Sequence, residues 1–261
     1  MLDAPTDKTP GHDWPRAVLG PRFASMNQYP GPVPVEDVHR WKTEATQRLL
    51  GYTIAFTEDE WHQPARLPGW SRAHLATHLA RHADYFAAIL TAVVAGEPQP
   101  EPTDEATQRA ELEAGADRNG LALQIDLDAA SGALQSAIEL VTDWSLPISL
   151  HGSQLPLSVL PLARLHELNL HLLDLDCGAA VEAIPVGAPE WLLRWALFRL
   201  QKAPLPAITL TTDSLTANIG TGTDLPLAVT SSDAMAWGWL TGRLGPEAVE
   251  GADGLILPLL G

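Results

Sequence analysis

The sequence predicts an α+β fold, in which an N-terminal four-helix bundle is followed by a smaller C-terminal α/β unit. Two observations predict it. Long segments with apolar residues at steps of three and four, joined by short connections, fill the chain as far as Gly178. Beyond Gly178 the segments become short, β-branched and bounded by turns. We therefore divide the chain into a proline-rich arm at 1–34, a helix bundle at 35–180 and a small α/β unit at 181–261.

Four helical segments are predicted for the bundle. They cover 35–57, 71–94, 104–141 and 161–176. Ser71 stands where an N-cap belongs, so the second helix should begin there. Glycines interrupt the third segment, and the sequence leaves open whether it forms one bent helix or two. The stretch 146–157 is expected to be a connection.

The C-terminal unit is expected to mix helices with short strands. The predicted helices cover 189–201 and 233–242, and the predicted strands cover 207–212, 216–219, 225–230 and 255–259. Ser232 is the expected N-cap of the later helix. This alternation is typical of a small sheet with helices packed on it.

Composition restricts the classes of function open to this chain. Its 261 residues include 32 acidic and 16 basic side chains, which gives a formal net charge of −16. Such a surface repels phosphate backbones and anionic lipid headgroups, so neither nucleic acid nor a membrane is an expected partner. No apolar run approaches the roughly 20 residues of a membrane span.

The cysteine content and the N-terminus predict a location. Cys177 is the single cysteine, which excludes an internal disulfide and a thiolate zinc cluster, and a small buried filler is its expected role. A reducing compartment suits such a chain. The first 25 residues lack the apolar core of a signal peptide. We therefore expect a cytoplasmic protein.

Histidines at helical spacing indicate a candidate metal site. His74, His78 and His82 are each four residues apart on the second helix. Glu167 and His171 have the same spacing on the fourth helix. Side chains at i and i+4 lie on one helix face, so a His₂Glu set can form if the two helices face each other. Three protein ligands with an open fourth position are typical of a catalytic zinc site.

The spacing alone leaves alternatives open. The histidines are as well explained as core or surface residues with hydrogen-bonded rings. Glu167 lies among leucines and needs a partner if it is buried, but Arg164, one turn earlier, would serve by forming a salt bridge. The sequence also does not distinguish His74 from His78 as a ligand.

Three motifs stand in order along the chain. The first is LPGWSRAHLATHLAR at 67–81, the second comprises Arg164, Glu167, His171, Asp174, Leu175 and Gly178, and the third is WLTGR at 239–243. Together they resemble the motifs of the mycothiol-dependent maleylpyruvate isomerase family, within the DinB-like superfamily of metal-binding bundles. The resemblance covers about residues 35–260. It implies a DinB-like bundle and a C-terminal domain similar to sterol-carrier folds.

The resemblance also implies a site. Its metal ligands would be His78, Glu167 and His171, holding a divalent cation, usually Zn²⁺, with mycothiol as the thiol co-substrate. Arg243 matches an arginine tied to activity in the family, and our hypothesis is that it holds a substrate carboxylate. Two positions depart from the family's pattern. His82 stands where the family often has Asn, and Leu172 where a second histidine often follows the ligand.

Two further residues are candidates for binding the thiol. Trp70 lies in the turn before the histidine helix, where it would shelter the site or simply anchor the helix start. Arg81 lies on that helix, where it would line the cleft or form a solvated pair with Asp84.

The expected enzyme is a mycothiol-dependent isomerase or thiol S-transferase. A thiolate can add to an electron-poor double bond, permit rotation about the new single bond and leave, which is cis–trans isomerisation. If the thiol stays attached, the enzyme is a mycothiol S-transferase or thiol-exchange enzyme in detoxification or natural-product biosynthesis. A non-catalytic ligand-binding module is the remaining hypothesis. The expected partners are a small electrophile and a low-molecular-weight thiol, and the sequence leaves a homodimer undecided.

Overall fold

The computed structural model describes residues 30–222, 225–252, 254–257 and 259–260. Its helices are α1 (Val35–Thr53), α2 (Glu58–Trp61), α3 (Arg72–Ala95), α4 (Glu105–Ala116), α5 (Gly120–Glu139), α6 (Val159–Asp174), α7 (Ala188–Arg199) and α8 (Asp233–Leu240). Its strands are β1 (Pro147–Leu150), β2 (Ser153–Pro156), β3 (Ile208–Thr211), β4 (Thr216–Ile219) and β5 (Leu227–Thr230). None of the described helices is both long and apolar enough to cross a membrane.

The bundle is formed by α1, α3, α5 and α6. Helix α3 packs along α5, and α1 packs along α6. All residues of α6 from Val159 to Asp174 are buried, because other elements cover it on every side. Any polar side chain on α6 therefore lies inside the protein and needs a partner there.

The start of α3 is fixed by a reciprocal cap. The Ser71 hydroxyl accepts a hydrogen bond from the His74 backbone N–H at 3.4 Å. The Ser71 backbone N–H donates to His74 Nδ1 at 3.2 Å, so two of the helix's free amide groups are satisfied. The predicted N-cap at Ser71 is confirmed, and it anchors the turn that precedes His78.

The third predicted segment is two helices. Helix α4 ends at Ala116, and α5 begins after Asn119, whose side chain accepts from the Ala122 N–H at 2.9 Å. The predicted connection at 146–157 instead contains a hairpin of antiparallel β1 and β2. Its turn residues His151 and Gly152 have φ values of 50° and 71°, as a tight hairpin turn requires.

The C-terminal part contains a three-stranded sheet in the order β4-β3-β5, with β3 antiparallel to β4 and parallel to β5. Helices α7 and α8 pack against each other beside it. The predicted last strand at 255–259 is wrong for the residues described there, which have no strand structure. This mixture of a helical bundle and small sheets confirms the predicted α+β class.

One apolar core runs through both parts of the chain. It joins bundle residues such as Leu79 and Leu168 to Trp195, Trp237 and Trp239. All five side chains are fully buried. The boundary near residue 180 falls between α6 and α7 and stays a prediction. Most of the predicted arm at 1–34 lies outside the described residues.

Candidate metal centre

Helices α3 and α6 bring three potential metal ligands together. Glu167 Oε2 lies 3.4 Å from His78 Nε2 and 3.2 Å from His171 Nε2. One ligand atom from each side chain lies within 4.8 Å of the others. The His171 and Glu167 side chains are buried, whereas that of His78 is 33% exposed. The cluster is therefore open to solvent on the α3 side.

Asp174 controls the protonation of His171. Its Oδ2 lies 2.9 Å from His171 Nδ1, so that nitrogen donates to the carboxylate. A neutral His171 then directs the lone pair of Nε2 at the carboxylate of Glu167, and the contact is favourable only with a proton or a cation between them. Burial lowers the pKa of His171, but the hydrogen bonds to Asp174 and Glu167 outweigh it and raise the pKa above its usual value.

The pKa of Glu167 is shifted in the complementary direction. Burial would raise it, but the hydrogen bonds from His171 and His78 hold the pKa well below its usual range. The pKa of His78 is lowered, mainly by burial. At neutral pH the cluster thus contains a carboxylate with imidazole nitrogens aimed at it, and a divalent cation would bind there by displacing the proton that the raised pKa of His171 favours.

The donor set fits zinc. Ligands about 2.0–2.1 Å from a tetrahedral Zn²⁺ lie about 3.3–3.4 Å apart. The two Glu167–histidine separations of 3.4 and 3.2 Å match that spacing. The His171–Asp174 hydrogen bond is the carboxylate–histidine contact that commonly orients a metal-bound imidazole.

The two neighbouring histidines do not complete the ligand set. His74 is held at Nδ1 by Ser71, and its Nε2 lies 3.4 Å from a carboxylate oxygen of Glu113. His82 Nδ1 accepts a hydrogen bond from Arg164 Nη1 at 3.2 Å. A neutral imidazole that accepts at Nδ1 carries its proton on Nε2 and cannot ligate there. Among the described residues, the cluster therefore has three candidate ligands, and neither neighbouring histidine adds a fourth.

Arg243, in the C-terminal part of the chain, contacts the cluster through Asp174. Its Nε donates to Asp174 Oδ1 at 3.1 Å and its Nη2 to Asp174 Oδ2 at 2.8 Å. Nη1 donates to the backbone carbonyls of Thr241 and Leu260. The hypothesis that Arg243 holds a substrate carboxylate stays a prediction; in the structure this guanidinium is buried and paired with Asp174.

The two candidate thiol-binding residues have different positions. The Trp70 ring lies 5.5 Å from the His78 ring, so it flanks the exposed side of the cluster. The Arg81 guanidinium forms ion pairs with Asp84 and Asp126 at 2.8 and 2.7 Å. No contact between Arg81 and the three clustered residues is seen in the described part of the chain.

The salt-bridge alternative for Glu167 is not what the structure forms. Arg164 donates to the Leu79 carbonyl and to His82, and the described residues show no ion pair between Arg164 and Glu167. Sequence reasoning also gave no role to Asp174. Its spacing of three residues from His171 on a helix was the available signal.

These features together define a class: a four-helix-bundle protein with a His–Glu–His cluster between two helices and a C-terminal α/β unit that contacts it. A family model described as "Mycothiol maleylpyruvate isomerase N-terminal domain" matches residues 43–176, about half of the chain. The chain belongs to the mycothiol-dependent maleylpyruvate isomerase family, and the suspected relationship is confirmed.

Solved structures support the same fold. A crystal structure of mycothiol-dependent maleylpyruvate isomerase superposes with a TM-score of 0.76 at 22% identity, covering 90% of this chain and 98% of that one. A histidine-to-alanine mutant of mycothiol-dependent maleylpyruvate isomerase gives a TM-score of 0.77 at 21% identity, with the same coverage. No curated protein sequence matches the chain significantly.

Proposed function

We propose that the chain is a metal-dependent enzyme that uses mycothiol to isomerise an electron-poor double bond, with a maleylpyruvate-like reaction as the reference. The observation that carries this proposal is the convergence of His78, Glu167 and His171 on one point. Family membership supports the thiol and the reaction class. The cytoplasm is the proposed location, because low-molecular-weight thiols are kept reduced there.

The side chains of this protein would hold a divalent cation, with zinc first. His78 and His171 would offer Nε2 and Glu167 a carboxylate oxygen, while Asp174 keeps the proton of His171 on Nδ1. Zinc bound there would favour the thiolate over the thiol form of the co-substrate, whose ordinary pKa is about 8.5. Trp70 would form one wall of the thiol site, since its ring flanks His78.

Cys177 has no part in this proposal. Burial raises the pKa of its thiol, so it is a poorer nucleophile than a free cysteine. The nucleophile is therefore the small thiol. Arg81 stays a candidate for binding that thiol only if substrate draws it away from Asp84 and Asp126.

The proposal is tested by metal analysis together with a thiol-dependence assay. Purified protein is expected to hold about one zinc ion per chain, and His78→Ala to lose it, since three ligands are the minimum for such a site. His62→Ala is the matched control, because that imidazole is half exposed and pairs only with Glu58 in the described residues. A His78→Ala protein with undiminished zinc would overturn the site.

The reaction is followed with mycothiol and a panel of cis-configured unsaturated keto acids. Isomerisation gives the trans acid and returns the thiol unchanged. A stable thioether product instead identifies a mycothiol S-transferase and replaces the isomerase assignment. Absence of any thiol-dependent conversion with the zinc-loaded protein would leave a ligand-binding module as the function.

A further inference from the structure

His82 lies at the edge of the candidate metal centre and is not one of its three ligands. It follows His78 by one helical turn on α3, and the two rings are 6.1 Å apart. Its ring centroid also lies 4.1 Å from that of Phe86, with the two ring planes tilted by 50°, so Phe86 limits the movement of the imidazole. The His82 ring thus lies between the rings of His78 and Phe86, at the edge of the cluster.

Arg164 determines which nitrogen of His82 carries the proton. The Arg164 side chain is fully buried, with 1% of its surface exposed. Its Nη1 donates to the Leu79 carbonyl at 2.9 Å and to His82 Nδ1 at 3.2 Å. A guanidinium only donates, so His82 Nδ1 must present a lone pair and the ring proton must be on Nε2.

The Nε2–H of His82 is an available donor. It has no acceptor among the described residues, yet it is not one of the buried polar atoms without partners. Nε2 is therefore not fully enclosed by the protein, and its ring lies 6.1 Å from that of His78 in the cluster. The arrangement buries the Arg164 guanidinium without an ion pair in the described part of the chain. Such an unpaired buried charge lowers the stability of the fold.

On the basis of the proposed function, we propose that His82 is a catalytic hydrogen-bond donor, whose Nε2–H binds the carbonyl oxygen of a substrate in which that carbonyl is conjugated to the reacting double bond. The substrate class is thus an α,β-unsaturated ketone or keto acid. Arg164 is a positioning residue that keeps the donor on Nε2.

The electron balance explains why a donor is needed there. Attack of the thiolate sulfur forms a C–S bond at the β-carbon, and the electron pair of the double bond moves to give an enolate oxygen. His82 donates to that oxygen as its negative charge develops. After rotation about the former double bond, the enolate pair returns, the C–S bond breaks and the thiolate leaves. No proton, oxidant or reductant is consumed, so a fixed neutral donor suffices.

Two substitutions at His82 separate this role from packing. His82→Phe keeps a planar ring against Phe86 but removes the donor, and kcat is expected to fall about 10²–10³-fold, as for loss of one oxyanion donor. His82→Asn keeps an N–H donor at this position. Its kcat is expected to stay within about tenfold of the unsubstituted enzyme, because the donated hydrogen bond matters more for catalysis than the aromatic ring. The KM for the thiol and the zinc content should not change in either variant.

The control and the second readout make the outcomes distinguishable. His62→Phe should leave kcat unchanged, because His62 is the C-cap of α2 and pairs with Glu58 rather than with the cluster in the described residues. Nitrogen-15 NMR of the zinc-loaded enzyme, with His82 assigned by its loss in His82→Asn, should show the proton on Nε2. A His82 proton on Nδ1, an unchanged kcat in His82→Phe, or loss of zinc from that variant would each overturn the inference. Absence of thiol-dependent turnover in the unsubstituted enzyme would overturn the proposed function, and the inference with it.

Discussion

Arg243 and Asp174 form a buried two-point ion pair, in which both carboxylate oxygens receive a guanidinium N–H. Asp174 Oδ2 is also the acceptor for His171 Nδ1. A residue from the C-terminal part of the chain therefore orients a candidate metal ligand in the bundle through one intermediate carboxylate. The pKa of Asp174 is low, because the hydrogen bonds from His171 and Arg243 outweigh the effect of burial.

Arg243→Ala should weaken both the fold and the metal site. Removing the guanidinium leaves the buried Asp174 carboxylate with only the hydrogen bond from His171 among the described residues, which costs up to about 3–5 kcal/mol of unfolding free energy. Loss of the contact that orients His171 should reduce zinc affinity about 10–100-fold. Competition with a chromophoric chelator measures the affinity, and denaturant unfolding measures the stability.

The control for this variant is Arg109→Ala, which removes an exposed ion pair with Glu105 and should change neither quantity. Arg243→Lys keeps the charge without the two-point geometry and should lie between the two. Unchanged zinc affinity in Arg243→Ala would contradict the link from Arg243 to His171.

In the metal-free protein, the contact between His171 and Glu167 should contribute most to stability in mildly acidic solution. The raised pKa of His171 gives stability that is complete below about 6.5 and is lost as the pH rises through the folded value. The lowered pKa of Glu167 gives stability that is present above about 4.3 and is lost as the pH falls. Thermal unfolding in the presence of a chelator, followed from about pH 4 to about pH 9, measures the fall in melting temperature at the acidic and the alkaline limit.

Zinc should compensate for the stability that the metal-free protein loses through His171 at alkaline pH. The cation binds the deprotonated imidazole, so its affinity rises with pH where the metal-free protein loses stability. The difference in melting temperature with and without zinc should therefore widen above about pH 6.5. A constant difference across this range would show that His171 does not exchange a proton for the metal.

Cys177→Ala should leave thiol-dependent turnover within about twofold of the unsubstituted enzyme, a change of less than half a kcal/mol in the barrier. Its thiol is partly buried, and burial raises its pKa. Turnover is measured at saturating mycothiol, with zinc content as the control. A large loss of kcat with normal zinc content would instead indicate that Cys177 acts as a nucleophile.

Ser71→Ala should lower the free energy of unfolding by about 1 kcal/mol, because it removes an N-cap. We also expect a modest loss of zinc affinity, under about tenfold, since the first turn of α3 precedes His78. Thr57→Ala is the matched control: it removes the capping box of α2, which carries none of the three clustered residues. Equal effects of the two substitutions on zinc affinity would argue against a role for the Ser71 cap.

Periodicity predicted the long helices because their apolar stripes are read directly from the sequence. The end of α3 near Gly96, with φ of 72°, and the N-cap at Ser71 were also readable as local chemistry. Helix α6 ends at Asp174, two residues before the predicted end at 176, and Asp176 and Gly178 beyond it both adopt a left-handed conformation. The β1–β2 hairpin was missed, since its four-residue strands are too short to show alternation.

The candidate site was predictable only in part. Spacing identified the histidines and Glu167, but it could not choose between His74 and His78. That choice depends on how α3 is rotated against α6, a property of packing between segments distant in sequence. The partner of Arg243 was not predictable for the same reason, because Asp174 lies 69 residues away along the chain.

The contact between Trp237 and His166 provides an intrinsic fluorescence signal for the packing of α8 against α6. The fully buried indole of Trp237 donates to His166 Nδ1 at 3.1 Å, and His166 is the residue before Glu167. Any separation of α8 from α6 would expose that indole to water and shift its emission to longer wavelength. The difference spectrum against Trp237→Phe would therefore report, without a label, whether the C-terminal unit remains seated beside the cluster during turnover.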